Sequence, residues 1–524
     1  MRQYVVHEVI RRTLMTNPEQ LVVSGSARLS YARMYGRALR IANSMKRLGV
    51  GRGTVVGVLD ANTHRFLELH YALSMLGAVL HTVNFRLSPE HMVFSMVHAG
   101  DEWVFASDLF MGALKPLFRK FPRWVLMSDD PASPLPEAEV AYRYEDLVAD
   151  GEERELPDAD RVRDSDPFSI FYTTGTTGGP KGIRYQHRQI LLGALQLFHH
   201  MSMHVTGARV DSRDVFMPLV PFFHIHAWGM AFFPPYLGSK LVLAGAAGPA
   251  EQARLVREEG VTMLNMVPTQ LHMLLEQPGF GDVKVLTGGS PFASGLAKRA
   301  AAAGVRFSLI YGGSDQLGTA ISVVPEDVKS ESPEALEWLR VGMRPFPMVE
   351  VSVRDKDGRE LPHDGKSVGA IWVRSPWLPE GYYKEPELSA ESYVDGWFRS
   401  GDLGFYFPNG GLYVADRERD AVKSGGEWIP TGILESLLSE HPSVAVAAVI
   451  ARPDDRWGER PLGVVKAAAP VEAEDLRRFL EAKVAEGRIA RHWIPDAFEF
   501  TEEVPLTSAG KIDKVALRAR YAKG

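Results

Sequence analysis

Residues 171 to 182, FYTTGTTGGPKG, gather four threonines, four glycines and a lysine. Backbone N–H groups approach an anion closely only where side chains are missing. Hydroxyls add donors and a lysine neutralises charge, so this stretch points to a polyphosphate cradle. The common phosphate loop places glycine before its lysine and a metal-binding hydroxyl after it. Here Pro180 precedes Lys181 and Gly182 follows, which disfavours an ordinary P-loop NTPase and leaves a nucleotide held by a different loop. A second lysine, Lys511, follows Gly510 in a turn ahead of a basic helical stretch, and by residue type alone it fits a solvated side chain. In PFFHIHAWGMAFF, His224, Trp228 and Phe232 stand four apart; on a helix they share one face, either the border of an apolar tunnel or a plain core stripe. His199, His200 and His204 lack the glutamate of an H-E-x-x-H zinc helix, and neither GGSPF nor GGSDQ completes the G-x-S-x-G elbow of a serine hydrolase.

Groups of this kind need a large scaffold. The chain has 524 residues, 45% hydrophobic and 24% charged, enough for two or more domains of an ordinary globular enzyme. A net charge of −6 without a long Lys/Arg tract argues against nucleic-acid binding. There is no cysteine, which removes disulfides, thiolate metal sites and a cysteine nucleophile; any thioester chemistry must use an external thiol. The opening MRQYVVHEVIRRTLM reads as an amphipathic helix and not as a signal peptide. No apolar run approaches the roughly 18 residues of a spanning helix, so a cytoplasmic location is expected.

Helical and strand patterns alternate over the first 400 or so residues, which implies helix-covered parallel sheets, an α/β fold. Met34, Ala38, Ile41, Met45 and Leu48 keep helical spacing, Gly49, Gly51 and Gly53 stop that helix, and TVVGVLD follows as a strand. DEWVFASDLF, SRDVFMPLVPFFH, GSKLVLAG and VKVLTGGS supply further strands, and ligands in such sheets gather at strand carboxyl ends. After residue 411 the composition turns densely charged and then glycine-rich. The chain thus divides into a large N-terminal domain, residues 1–416, a hinge at 417–420, and a small mobile α+β domain at 421–524.

Seven stretches occur in the order and at the spacing of one family: YTTGTTGGPKG, PFFHIHAW, GGS at 288 to 290, IYGGSD at 310 to 315, GWFRSGD, DRERDAVKSGGEW and PLTSAGK. The chain resembles the adenylate-forming (ANL) acyl-CoA synthetases over nearly its whole length, the fatty-acid CoA ligases most of all. The resemblance implies that a carboxylic acid attacks the α-phosphate of ATP, expelling pyrophosphate, and that coenzyme A then displaces AMP, with Mg²⁺ on the phosphates. It implies that Thr173, Thr174, Gly175, Thr176, Thr177 and Lys181 surround the β- and γ-phosphates, and that Tyr311, Gly312, Gly289 and Ser290 line the adenine site. Asp402 would hold the ribose, Arg417 ribose or phosphate, and Ser314 a phosphate oxygen. Lys511 resembles the mobile catalytic lysine of adenylation. Arg419 falls at the hinge position, where aspartate or lysine is more usual, and Gly425, Gly426, Glu427 and Trp428 match the loop that faces the nucleotide site during thiol attack.

By the same resemblance His224 and Trp228 are the active-site histidine and the gate of an acyl site that Gly288 and Gly313 complete. His226 departs from the pattern, which carries asparagine there. Asp315 replaces a glutamate; one methylene shorter, it would reach Mg²⁺ through a water, with Thr173 also near the ion. The acid expected is a medium- or long-chain fatty acid. The rivals are an aryl or short functionalised acid and a non-catalytic acyl-nucleotide-binding homologue. Neither chain length nor oligomeric state is read from the sequence; a homodimer is compatible with it.

Overall fold

The computed structural model describes residues 3–157, 159–174, 179–204, 208–323, 342–505 and 512–522. Gly175, Thr176, Thr177 and Lys511 lie outside them, as does the side chain of Thr174.

The first long helix, Tyr31–Arg47, forms where the spacing requires it. Ser30 caps it by accepting from the Arg33 N–H, Met34, Ala38, Ile41 and Met45 are fully buried, and Gly49, at φ +88°, turns the chain out of it. The strand Val55–Leu59 follows, then the helix His64–Leu76, all thirteen residues of which are buried between layers. At the N-terminus the expected single amphipathic helix is instead a 3₁₀ turn, Val6–Glu8, and a short helix, Arg11–Thr16.

Three sheets carry the described residues. One has seven strands, in the order Val140–Arg143, Arg123–Met127, Trp103–Ser107, Val55–Leu59, Val79–Thr82, Pro167–Thr174, Pro180–Gln186, parallel except for its last pair. The second has fourteen strands. Its parallel part joins Leu21–Ser24, Leu241–Leu243, Phe216–Pro218, Met263–Met266, Lys284–Gly288 and Arg306–Gly313. From Leu317–Ser322 onward the same sheet runs antiparallel, through Met343–Pro345, Leu412–Arg417, Trp397–Tyr406, Gly369–Arg374 and Glu350–Arg354. Among the described residues these strands are joined mainly by turns, with one short helix, Pro386–Ser392, before Trp397–Tyr406, so a regular helix–strand alternation does not announce them. Both sheets share one core, in which Val56 and Phe171 from the first meet Phe216, Leu286 and Leu412 from the second.

Arg417 ends the last strand of the large sheet, and Val422 opens a separate five-stranded sheet of Glu427–Ile429, Val422–Ser424, Gly458–Ala467, Val444–Asp454 and Ala497–Phe500. The helices Thr431–Leu438 and Ala473–Ala485 cover it and build its own core around Leu434, Leu437, Leu476 and Leu480. The whole is a large α/β unit with a smaller α+β one. Among the described residues no helix is long and apolar enough to cross a membrane.

Candidate active site

The chemically loaded residues sit where parallel strands end. Thr173 closes Pro167–Thr174, Gly288 closes Lys284–Gly288 with Gly289 and Ser290 just beyond, and Tyr311 to Gly313 close Arg306–Gly313. Carboxyl ends of parallel strands present free N–H groups and room for loops. Lys181 is paired to Thr173 across the two strands, and its ammonium group lies 5.2 Å above the Tyr382 ring. Tyr382 arrives from a distant segment, which bridges Ile183 and donates the Tyr383 N–H to the Gly182 carbonyl at 2.7 Å.

Asp402 and Arg417 are cross-strand neighbours in the antiparallel part of the large sheet, and their side chains pair at 2.9 Å. The Tyr311 hydroxyl donates to the other oxygen of the same buried carboxylate at 2.6 Å. Asp402, mainly, raises the Arg417 guanidinium above its ordinary value. A carboxylate presents about four acceptor sites, and hydrogen bonds from the hydroxyls of a vicinal diol are the kind it accepts.

Asp315 follows in the next loop. Burial pushes its carboxyl up, while a hydrogen bond from Tyr382 and the charges of Arg417 and Lys181 pull it down. Tyr393 donates to its carbonyl at 2.9 Å and Tyr185 to that of Ser314 at 2.7 Å, so three tyrosines fix this loop. No group of three or more His, Cys, Asp or Glu side chains capable of holding an ion occurs among the described residues. A lone carboxylate such as that of Asp315 fits Mg²⁺, which takes one or two carboxylates and completes its shell from phosphates and water. Sequence reasoning missed Tyr382: EGYYKEP carries no periodic or charge signal, and only the fold brings it to Lys181.

The helical reading of PFFHIHAWGMAFF is corrected. Ile225, His226, Ala227 and Trp228 have φ of 51°, 51°, 53° and 54°, a left-handed turn in which none of the four is glycine. Such residues cost about 1–2 kcal/mol each, so their surroundings must hold them. Backbone bonds run from the Trp228 N–H to His224 and from the Gly229 N–H to Ile225, at 3.3 and 3.1 Å. Asn265 donates to the Ala227 carbonyl at 2.7 Å while accepting from the Leu219 and Val220 N–H groups. The turn throws His226 inward, where it is fully buried, and leaves His224 and Trp228 half-buried on the outer side.

Trp228 and Phe232 face a cavity of about 60 Å³, closed by Ile190, Leu197, Ile310 and Leu317. Ala194 and Ile225 add to its wall, and Gly193, Gly229, Gly289, Gly312, Gly313 and Gly318 line it with backbone alone. His224 and Gly288 do not line it. Gly288 is packed so tightly that a Cβ there would lie 2.3 Å from the Ile310 carbonyl oxygen.

The predicted thiolation loop is a tight hairpin: Gly425 and Gly426, at φ +60° and +89°, connect Val422–Ser424 to Glu427–Ile429, and the Gly425 N–H donates to the Trp457 carbonyl at 2.8 Å. Glu427 pairs with His492 at 3.2 Å, and Lys423 lies over the Trp428 ring. Arg419 is exposed, 3.5 Å from Asp420.

A glycine- and threonine-rich turn sequence after one strand, a buried carboxylate paired with an arginine, and an apolar cavity, in a two-unit chain, are the parts an acid-activating enzyme requires. The chain belongs to the AMP-binding enzyme family, whose model matches residues 10–383, with the AMP-binding enzyme C-terminal domain matching residues 434–511, and within it to the ANL acyl-CoA synthetases. It is 36% identical over 510 residues to a long-chain-fatty-acid–CoA ligase of Thermus thermophilus, covering 94% of this chain and 90% of the relative. It is 34% identical over 516 residues to a 3-methylmercaptopropionyl-CoA ligase of Ruegeria lacuscaerulensis, covering 94% and 92%. The fold matches that of the anthranilate CoA ligase AuaEII in complex with anthranoyl-AMP, at a TM-score of 0.84 and 22% identity over 99% of this chain and 98% of that one. The enzyme is an AMP-forming acid–CoA ligase that uses ATP with Mg²⁺ and takes CoA as substrate.

Proposed function

We propose that the acid is apolar and aliphatic, a medium- or long-chain fatty acid, bound with its tail in the cavity behind Trp228. The observation that carries this reading is the lining: among the cavity's side chains only the indole N–H of Trp228 is polar, so a hydroxylated or charged tail would be desolvated without a partner. The 36% identity to a long-chain ligase supports it.

In this reading Tyr311 stacks on adenine, Asp402 accepts from the ribose hydroxyls, and Arg417 orients that carboxylate while offering its free N–H groups to ribose or phosphate. Thr173, the loop that follows it and Lys181 hold the leaving pyrophosphate. One carboxylate oxygen of the acid forms a bond to the α-phosphorus as the bond to pyrophosphate breaks; the CoA sulfur then bonds to the acyl carbon and AMP leaves. Asp315 and Thr173 would hold Mg²⁺, which would supply charge neutralisation on the phosphates. Lys511 supplies a cation to the developing charge, and Gly425 to Trp428 accompany thiol attack after a rotation at Arg419.

The small void favours a second reading, a short thioether acid such as the one named for the Ruegeria relative. About 60 Å³ is room for a few waters, at ~10–15 Å³ per water, and a long chain needs Trp228 or Phe232 to move. CoA thioester formation with saturated acids of graded length, 3-methylmercaptopropionate, a hydroxy acid and benzoate decides between them. Rising kcat/KM with chain length supports the fatty acid; a preference for the hydroxy acid or benzoate contradicts an apolar aliphatic site.

A further inference from the structure

Beneath the left-handed turn lies a proton-ordered chain. The Nδ1 of His70 is 2.7 Å from the Phe66 carbonyl oxygen, the Nε2 of His70 is 2.9 Å from the Nδ1 of His226, and the Nε2 of His226 is 3.1 Å from the Ser169 hydroxyl. A carbonyl only accepts, so the Nδ1 of His70 carries a proton and, in the neutral ring, its Nε2 accepts. His226 must then donate from Nδ1 and accept at Nε2 from Ser169. Phe66, Phe168, Phe171, Phe222 and Phe232 surround the pair, and all these rings are buried. Burial lowers His70 to about 4 and His226 well below its ordinary value, in keeping with two neutral rings. A polar chain of this kind, in an aromatic cage, has one satisfied arrangement, and that arrangement fixes where residue 226 sits.

We propose that the His70–His226–Ser169 chain is the positioning device of the acyl site: it anchors the left-handed turn from below, holds the Trp228 wall in place, and so sets which acids are accepted without touching them. Three observations support this. The turn is intrinsically unfavourable and so depends on its anchors. His226 is the turn residue pointing inward, and Trp228, two residues on, is the wall. Ser169 lies on the strand that ends at Thr173 and Thr174, which ties the turn to the sheet carrying the phosphate loop. His226 is thus a positioning residue. The inference rests on the cavity being the acyl site, as proposed above.

The test measures acid and ATP kinetics for His226→Leu, His226→Asn, Ser169→Ala and Trp228→Ala. His226→Leu removes the chain and should lower acid kcat/KM roughly 10- to 100-fold through acid KM, flatten chain-length preference, and leave ATP KM within about twofold. Asparagine places an N–H close to the Nδ1 position, can still donate to His70, and should restore most of the acid preference. Ser169→Ala, a smaller change should the leucine variant not fold, should shift acid KM in the same direction by a few-fold. An unchanged acid profile in His226→Leu or, where that variant does not fold, in Ser169→Ala overturns the proposal, as does an equal rise in ATP KM. Trp228→Ala separates the two claims: a shifted acid profile there with an unshifted one in His226→Leu leaves the acyl site standing and removes the positioning role. An unshifted profile in Trp228→Ala removes the acyl-site reading itself and the proposal with it.

Discussion

At the scale of single residues, Asp315 is the sharpest departure from the family pattern. Its carboxylate is one methylene shorter than the glutamate expected there, yet it is held by the Tyr382 hydroxyl and faces Lys181 and Arg417. A shorter ligand held back by a tyrosine acts on Mg²⁺ best through a bound water, since the ion keeps several of its waters. Asp315→Ala should raise the Mg²⁺ concentration needed for half-maximal adenylation, and lower its rate, by about 10- to 100-fold, while Asp315→Glu remains active. A Mg²⁺ titration of pyrophosphate release checks this; identical curves for Asp315→Ala and wild type would remove Asp315 from the metal site. The nucleotide-side candidates stand out in the sequence because each belongs to a short motif of glycines, hydroxyls and charged groups, and the fold brings two of them, Tyr311 and Asp402, into contact. Tyr382 was not legible, because its role arises only when a strand bridge brings it to Lys181.

At the scale of elements, long periodic segments read more clearly than short or anchored ones, as the divided N-terminal segment shows. Met34 to Met45 form a helix whose buried face the spacing gives outright. The stretch from His224 to Phe232 has the same four-residue spacing, but its turn at Ile225 to Gly229 winds with the opposite hand. Spacing does not report the sign of φ, and no local propensity favours four non-glycine residues at positive φ, so only Asn265 and His226, reached through the tertiary fold, specify it. A second element-level device joins the two units. Asp416, at the end of the large sheet, accepts from the Thr431 and Gly432 N–H groups at 2.6 and 3.2 Å and so caps the helix Thr431–Leu438. Lys514 pairs with Glu435 in the same helix at 2.8 Å and donates to Thr431 at 2.6 Å, while Arg518 reaches Asp420. Loss of such a cap costs about 0.5–2 kcal/mol. Asp416→Ala should therefore lower the denaturation midpoint of the C-terminal unit, followed by urea unfolding, and Asp416→Asn, which keeps an acceptor oxygen, should lose less. Equal midpoints for alanine and wild type would show that water replaces the cap.

At the scale of the whole molecule, the α/β class and the small second unit were legible from alternation and from the charged, glycine-rich break near residue 417. The antiparallel half of the fourteen-stranded sheet was not, because among its described residues from Leu317 to Arg417 a single short helix, Pro386–Ser392, interrupts the strands and no regular alternation marks them. This arrangement matters for function: it sets Asp402 and Arg417 side by side across a ladder and brings them under Tyr311 from the parallel half. In the proposed reading, the carboxylate for the ribose thus comes from one half of the sheet and the adenine platform from the other. The central claim is that this site joins the acid to the α-phosphorus of ATP before CoA enters. It is tested most directly by supplying the preferred acid with both carboxylate oxygens labelled with ¹⁸O and analysing the phosphorus-containing products after one round of thioester formation. The account predicts one labelled oxygen in AMP and none in pyrophosphate. Label in orthophosphate, or unlabelled AMP alongside the acyl-CoA, would contradict it.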